Sequence, residues 1–187
     1  MLEDNHRAFA PYNICPDHGG GIMSYAVEAA RSILSRHWDG VLPVNLHEIA
    51  KKLNVKVEYD AFSKSLFSSE PEISGTLTFE NNVPTCTINL HHHENRQRFT
   101  LAHELGHFAL QHGAKTDNKN TLYRNGTTNP DEVEANAFAA ELLMPKAIVR
   151  NLIVHQGVAD ISELAKIFLV SEQAMKIRLK NLGWINE

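Results

Sequence analysis

The chain has 187 residues, 43% hydrophobic and 21% charged, with a formal net charge of −4. That is room for one globular domain of ordinary size, or for one with a small appendage. The acidic balance argues against broad phosphate-backbone binding, and no apolar run approaches the ~18 residues of a membrane span. The opening residues lack the basic-then-apolar order of a secretory signal. The two cysteines, Cys15 and Cys86, are too few for a disulfide framework, so the expected location is the reducing cytoplasm.

Residues 1–21 are polar, with proline and a glycine triplet, and read as a flexible N-terminal arm. From Ile22 the apolar positions Ala26, Ala29 and Ile33 have helical spacing. Asn45 and Glu48 form a capping pair for a short helix through Leu53. Val55–Tyr59 alternates like a strand, and residues 63–72 read as loop. "ISGTLTF" and "TCTINL", separated by "ENNVP", predict a β-hairpin. A helix is expected from about Glu94 to Gln111, closed by Gly113. The tract "AKTDNKNTLYRNGTTNP" has no apolar period and predicts a mobile loop. Pro130, after an Asn129 cap, starts a helix that stops before Pro145. Three shorter helices are expected around 146–154, 160–168 and 171–181. The expected class is α+β: a small sheet with one site-bearing helix in residues 22–145, then a C-terminal helical, helix-turn-helix-like segment in 146–187.

The helix "RFTLAHELGHFALQH" carries His103, Glu104 and His107 as H-E-x-x-H. A chain with 11 histidines makes such patterns by accident, so context decides. Residues four apart share a helix face, and His103 and His107 can offer two imidazole nitrogens to one cation. Zinc takes neutral imidazole and carboxylate at about 2 Å, with three protein ligands in catalytic sites. Glu104, rotated about 100° from His103, is placed to accept a proton from an activated water. The bland alternative is an amphipathic helix whose histidines pack or face solvent. The flanking Phe99, Leu101, Ala102, Phe108 and Leu110 mark this helix as substantially buried, where unpaired imidazoles cost several kcal/mol. A metal satisfies them.

A third ligand must come from elsewhere. The extended motif is absent, since Leu110 and Gly113 stand where it needs Gly and His. His112 projects roughly 140° from His107 on an ideal helix, and His91, His92 and His93 at a strand-to-helix junction read as solvated. In "PDEVEANAFAAELLMP", Glu132 lies about 50° from the centre of the apolar stripe and Glu134 about twice as far. Asn136, one turn on, is placed to hydrogen-bond a ligand histidine. Glu132 also suits a capping box with Asn129. Ligation by Glu132 is the preferred reading, with Glu134 the fallback.

"RQRFTLAHELGHFALQH" followed by "EVEANAFAAELLMP" resembles the ImmA/IrrE family of metallopeptidases, as do the upstream "LPVNLHEIAKKLNVKVEY" and "ISGTLTFENNVPTCTINL". The resemblance covers about residues 22–182. It implies a zincin-like, gluzincin-type domain, zinc, and cleavage of a helix-turn-helix transcriptional repressor. Carried over by position, His103, His107 and Glu132 would be ligands and Glu104 the catalytic carboxylate. Some relatives carry an N-terminal DNA-binding domain, for which residues 1–21 are too short. "ISGTLTF" becomes a candidate sheet edge for substrate added as a strand, and Tyr123 a loop residue that could reach the site.

In the C-terminal segment Asp160 with Glu163, and Ser171, start two helices. Lys166, Lys176, Arg178 and Lys180 are balanced there by Asp160, Glu163, Glu172 and Glu187. A DNA-reading helix normally has net positive backing, so packing or partner docking is expected and direct DNA binding is not. Two rival functions are a non-proteolytic partner of a repressor in a toxin–antitoxin-like pair, and a DNA-binding factor with structural zinc. An intact Glu104 favours the peptidase, because a structural site needs no general base.

Overall fold

The computed structural model describes residues 22–62, 73–113, 115–118, 123–124 and 127–186. The expected arm (1–21) and loop (63–72) lie outside the described residues, as does the side chain of Tyr123. The elements in order are α1 (Ile22–His37), α2 (Leu46–Lys52), β1 (Lys56–Asp60), β2 (Ile73–Glu80), β3 (Val83–Asn89), α3 (Glu94–Ala109), β4 (Lys115–Asn118), β5 (Tyr123–Arg124), β6 (Thr127–Thr128), α4 (Pro130–Leu143), α5 (Lys146–Gln156), α6 (Ile161–Phe168) and α7 (Glu172–Asn181). The α+β class read from the sequence is what the chain adopts. Among the described residues no helix is long and apolar enough to cross a membrane.

Local chemistry sets most boundaries. Asn45 Oδ1 accepts from the Glu48 amide at 3.2 Å, Asp160 Oδ1 from Glu163 at 2.9 Å, and Ser171 Oγ from Ala174 at 3.1 Å, which satisfies orphan donors at three helix starts. The histidine run acts locally too, since His93 Nδ1 accepts from the Asn95 amide at 3.2 Å and caps α3. Asn81 and Asn82, with φ of 51° and 64°, make the two-residue turn between β2 and β3 that the twist of a hairpin favours.

The main sheet has the order β1-β3-β2-β4, with β1 parallel to β3 and β2 antiparallel to both neighbours. This corrects two expectations. "ISGTLTF" is not an edge, because β4 pairs beyond it, and the tract expected as a mobile loop contains β4 and the β5–β6 pair. Ladder pairing is made by backbone groups, so the polar Lys115–Asn118 could form a strand without an apolar period to announce it.

Helix α3 lies between the sheet and α4. Thr100 through His107 are all buried, and Leu77, Cys86 and Ile88 of the sheet share one core with Leu101, Leu105, Phe138 and Leu142. Two glycines permit this. A Cβ on Gly106 would lie 3.0 Å from Phe138 Cδ1 and 3.3 Å from both Cα and O of Ala135 in α4. A Cβ on Gly75 in β2 would meet Thr100 Cγ2 at 2.5 Å and Glu104 Oε1 at 3.0 Å.

The C-terminal helices are tied down by buried charge. Glu141 of α4 accepts from Arg31 Nε of α1 at 3.0 Å and from the Arg178 Nη2 of α7, while Arg178 Nε donates to Met144 O at 3.0 Å. Arg98 of α3 donates to Leu169 O, between α6 and α7, at 3.2 Å and to Val44 O at 3.1 Å. Arg178 is therefore a packing residue and leaves the exposed face of the helix-turn-helix-like pair.

Arg178→Ala should lower unfolding free energy by about 3 kcal/mol, since it strands one oxygen of a buried carboxylate. Lys176→Ala, at an exposed position of the same helix, should stay within about 0.5 kcal/mol. Chemical denaturation of both variants checks this. Gly106→Ala gains about 1 kcal/mol of helix propensity but meets α4 backbone, where overpacking costs about 1–3 kcal/mol. Its melting temperature should fall, where an open helical glycine would give a rise.

Candidate metal centre

His103 and His107 stand one turn apart on α3, and both point at α4. Their Nε2 atoms are 3.0 Å apart. Glu132, in the first turn of α4, faces both: Oε2 lies 3.2 Å from His103 Nε2 and Oε1 3.5 Å from His107 Nε2. One ligand atom from each of the three residues falls within 4.8 Å of the others. All three are at most 3% exposed.

The capping alternative for Glu132 is not what forms. Asn129 Oδ1 accepts from the Asp131 amide at 3.1 Å, and the Glu132 carboxylate is turned to the imidazoles. Glu134, two residues on, is turned elsewhere, with Oε2 3.0 Å from His112 Nε2. Asn136 Oδ1 lies 3.2 Å from His103 Nδ1, on the side of the ring away from Glu132. Phe99 lies against the same imidazole, with ring centroids 6.5 Å apart.

This donor set fits a divalent cation such as zinc, for which neutral imidazole and carboxylate are ordinary ligands. Glu132 Oε2 is buried without a well-formed hydrogen bond, although it faces His103. The two Nε2 atoms face one another at hydrogen-bond distance, so at most one N–H can lie between them. Burial favours uncharged His107 and lowers its pKa, with Glu132 opposing. Burial also works against the Glu132 charge, but the two facing imidazoles outweigh it and hold the carboxyl well below the usual range. An uncharged His107 beside an ionised Glu132 suits cation binding.

Glu104 faces the sheet. It is fully buried, and its Oε1 sits over the backbone of β2, where Gly75 has no side chain to displace it. Its charge is close enough to Cys86 to add to the effect of burial in raising that thiol's pKa. Cys86 is thus held as an inert thiol.

His91 and His93 are exposed and His92 is half-buried; none belongs to the candidate metal group. His112 is the residue that reading along an ideal helix misplaced. Helix α3 ends at Ala109, Gln111 has φ 59°, and the chain turns back so that His112 Nδ1 lies 2.9 Å from His107 Nδ1. The Gly113 that closes the helix was the available signal, because such a stop brings the residues before it back onto the last turn.

A peptidase family model described as the IrrE N-terminal-like domain matches residues 50–180. The chain is also 31% identical over 107 residues to a protein of Bacillus phage phi105 named uncharacterized immunity region protein 2. That alignment takes in 56% of this chain and 61% of the phage protein, so the chain spans about three fifths of this relative. With the peptidase model matched across the sheet, α3, α4 and the C-terminal helices, the chain belongs to the ImmA/IrrE peptidase family.

Proposed function

We propose that this protein is a zinc-dependent endopeptidase that cleaves a helix-turn-helix transcriptional repressor in the cytoplasm and so relieves repression. The observation that carries the reading is the buried convergence of His103, His107 and Glu132 beside a buried Glu104, within a chain of a peptidase family. The immunity-region name of the phage relative supports a repressor as substrate.

In this reading His103, His107 and Glu132 hold the ion. When bound, zinc supplies a Lewis acid that polarises the scissile carbonyl and makes water acidic enough to attack near neutral pH. Glu104 takes the proton of the attacking water and passes it to the leaving amine. Gly75 keeps open the slot in which that carboxylate sits. Residues 22–145 make the peptidase unit and 146–187 a helical segment docked on it through Arg178 and Arg98. With Arg178 buried, the exposed Lys166, Lys176 and Lys180 are balanced by the exposed Asp160, Glu163 and Glu172, and the lack of net positive charge there supports protein docking over DNA binding. Substrate would add as a strand beside β4, the outer strand on that side of the sheet.

Purified protein should hold one zinc per chain, and His103→Ala should hold a negligible amount. Glu132→Gln should weaken zinc binding much more than Glu134→Gln. Elemental analysis with chelator competition checks both, and the opposite order would move the ligand to Glu134.

Glu104→Gln keeps size and hydrogen-bonding capacity but removes the base. It should retain zinc, fold and repressor binding and lose cleavage by about 10²-fold or more. Co-expression with a candidate helix-turn-helix repressor, wild type against Glu104→Gln, reads this directly. Equal cleavage by both would end the mechanism. Relief of repression by both without cleavage would establish the non-proteolytic partner instead.

A further inference from the structure

His107 is gripped at both ends of its ring, and only one end belongs to the metal group. Behind it His112 Nδ1 lies 2.9 Å from His107 Nδ1, and Glu134 Oε2 lies 3.0 Å from His112 Nε2. The backbone builds this contact. With Gln111 at φ 59° and Gly113 at φ 78°, the chain reverses after α3, and the His112 amide donates to His107 O at 3.0 Å. The His112 side chain is 8% exposed and that of Glu134 19%, so water has little access to either contact. Glu132 and Glu134 therefore address opposite nitrogens of one imidazole, the first directly and the second through His112.

We propose that Glu134 and His112 are positioning residues that fix the tautomer of His107 for metal binding, an inference that rests on the metal-site reading above. The direction of the chain follows from its two ends. An ionised carboxylate only accepts, so His112 carries its hydrogen on Nε2. A neutral imidazole has one such hydrogen, which leaves His112 Nδ1 as an acceptor. His107 must then donate from Nδ1, and its Nε2 lone pair is left pointing at His103 and Glu132. Asn136 Oδ1 does the same for His103 Nδ1. Without His112, His107 is free to place its hydrogen on Nε2, in the space a cation needs. Ordinary packing accounts for none of this polarity, since a buried apolar side chain at 112 would fill the same volume.

The test is titration of metal-free protein with Zn²⁺ and with Co²⁺ against a competing chelator, reading affinity and the Co²⁺ absorption spectrum. His112→Ala should weaken both ions by about 10–100-fold, the usual cost of losing a partner behind a metal-bound histidine. His112→Asn, which returns an acceptor oxygen near the place of Nδ1, should recover most of that loss. The double variant His112→Ala/Glu134→Gln should bind no more weakly than His112→Ala, because Glu134 acts only through His112. The metal-free melting temperature should fall modestly in His112→Ala, which leaves the buried His107 Nδ1 without its partner, and less in His112→Asn. If wild type binds one ion and His112→Ala binds it equally well, the relay is wrong and the metal site stands. If wild type binds none, the metal-site reading falls and the relay with it. Should His112→Ala fail to fold, Glu134→Ala, which removes the acceptor behind His112, decides, and unchanged affinity there overturns the proposal. Failure of His112→Asn to recover affinity would show that an acceptor behind His107 is not what matters, and a double variant weaker than His112→Ala would show that Glu134 acts apart from His112; either would also overturn the proposal.

Discussion

The approach of α3 to α4 at Gly106 is the constraint on which the rest of this structure depends. Ala135 backbone atoms stand 3.3 Å from where a Gly106 Cβ would be. A glycine at a helix crossing lets the axes approach toward the close end of the 8–10 Å usual between packed helices. His103 and His107 flank Gly106 within one turn on either side, and Glu132 and Asn136 flank Ala135. Side chains flanking the crossing therefore meet across it, and the glutamate and the histidines come into contact without a loop reaching in. A site built on two rigid helices holds its geometry better than one built on loops.

Closeness of this kind creates an electrostatic problem. Two imidazoles and a carboxylate, all buried, face each other in a space where water cannot solvate them, and each costs free energy unless it is paired. Asn136, His112 and Glu134 meet the outer nitrogens, so the polar demand is satisfied from behind and concentrated at the front, among Nε2 of both histidines and Glu132. About 100° round α3 from His103, the Glu104 carboxylate is pressed to the sheet at Gly75. One helix thus carries the candidate metal ligands toward α4 and the candidate base toward β2, an arrangement available only to a helix buried on both sides.

The C-terminal helices close the far side of α4. Glu141 is 2% exposed and would be untenable alone; Arg31 and Arg178 surround it, joining α1, α4 and α7. Replacing such a cluster by apolar residues is often neutral, whereas removing one member is not. The helix-turn-helix-like pair is consequently tied to α4 through Arg178 and to α3 through Arg98. Its outward face carries Lys166, Lys176 and Lys180 against Asp160, Glu163 and Glu172, all exposed.

The sequence by itself determined the helices and the first three strands, the helix starts, and the H-E-x-x-H face. These are local properties: 3.6-residue periodicity, capping side chains and i, i+4 spacing are written in neighbouring residues. It also brought Glu132 forward as the preferred partner of the histidines, from its angle on the α4 stripe. What it misplaced were features that depend on residues far apart in the chain. The polar Lys115–Asn118 became a strand because β2 offered it backbone partners, and β2 thereby lost its place at the edge. His112 moved from the side of an ideal helix to the back of His107 because α3 stopped two residues early. The choice between Glu132 and Glu134, equally acidic and two positions apart, was left to the tertiary structure. Only the docking of α4 on α3 decides which carboxylate meets Nε2 and which meets His112, because that depends on how closely and at what rotation two helices pack.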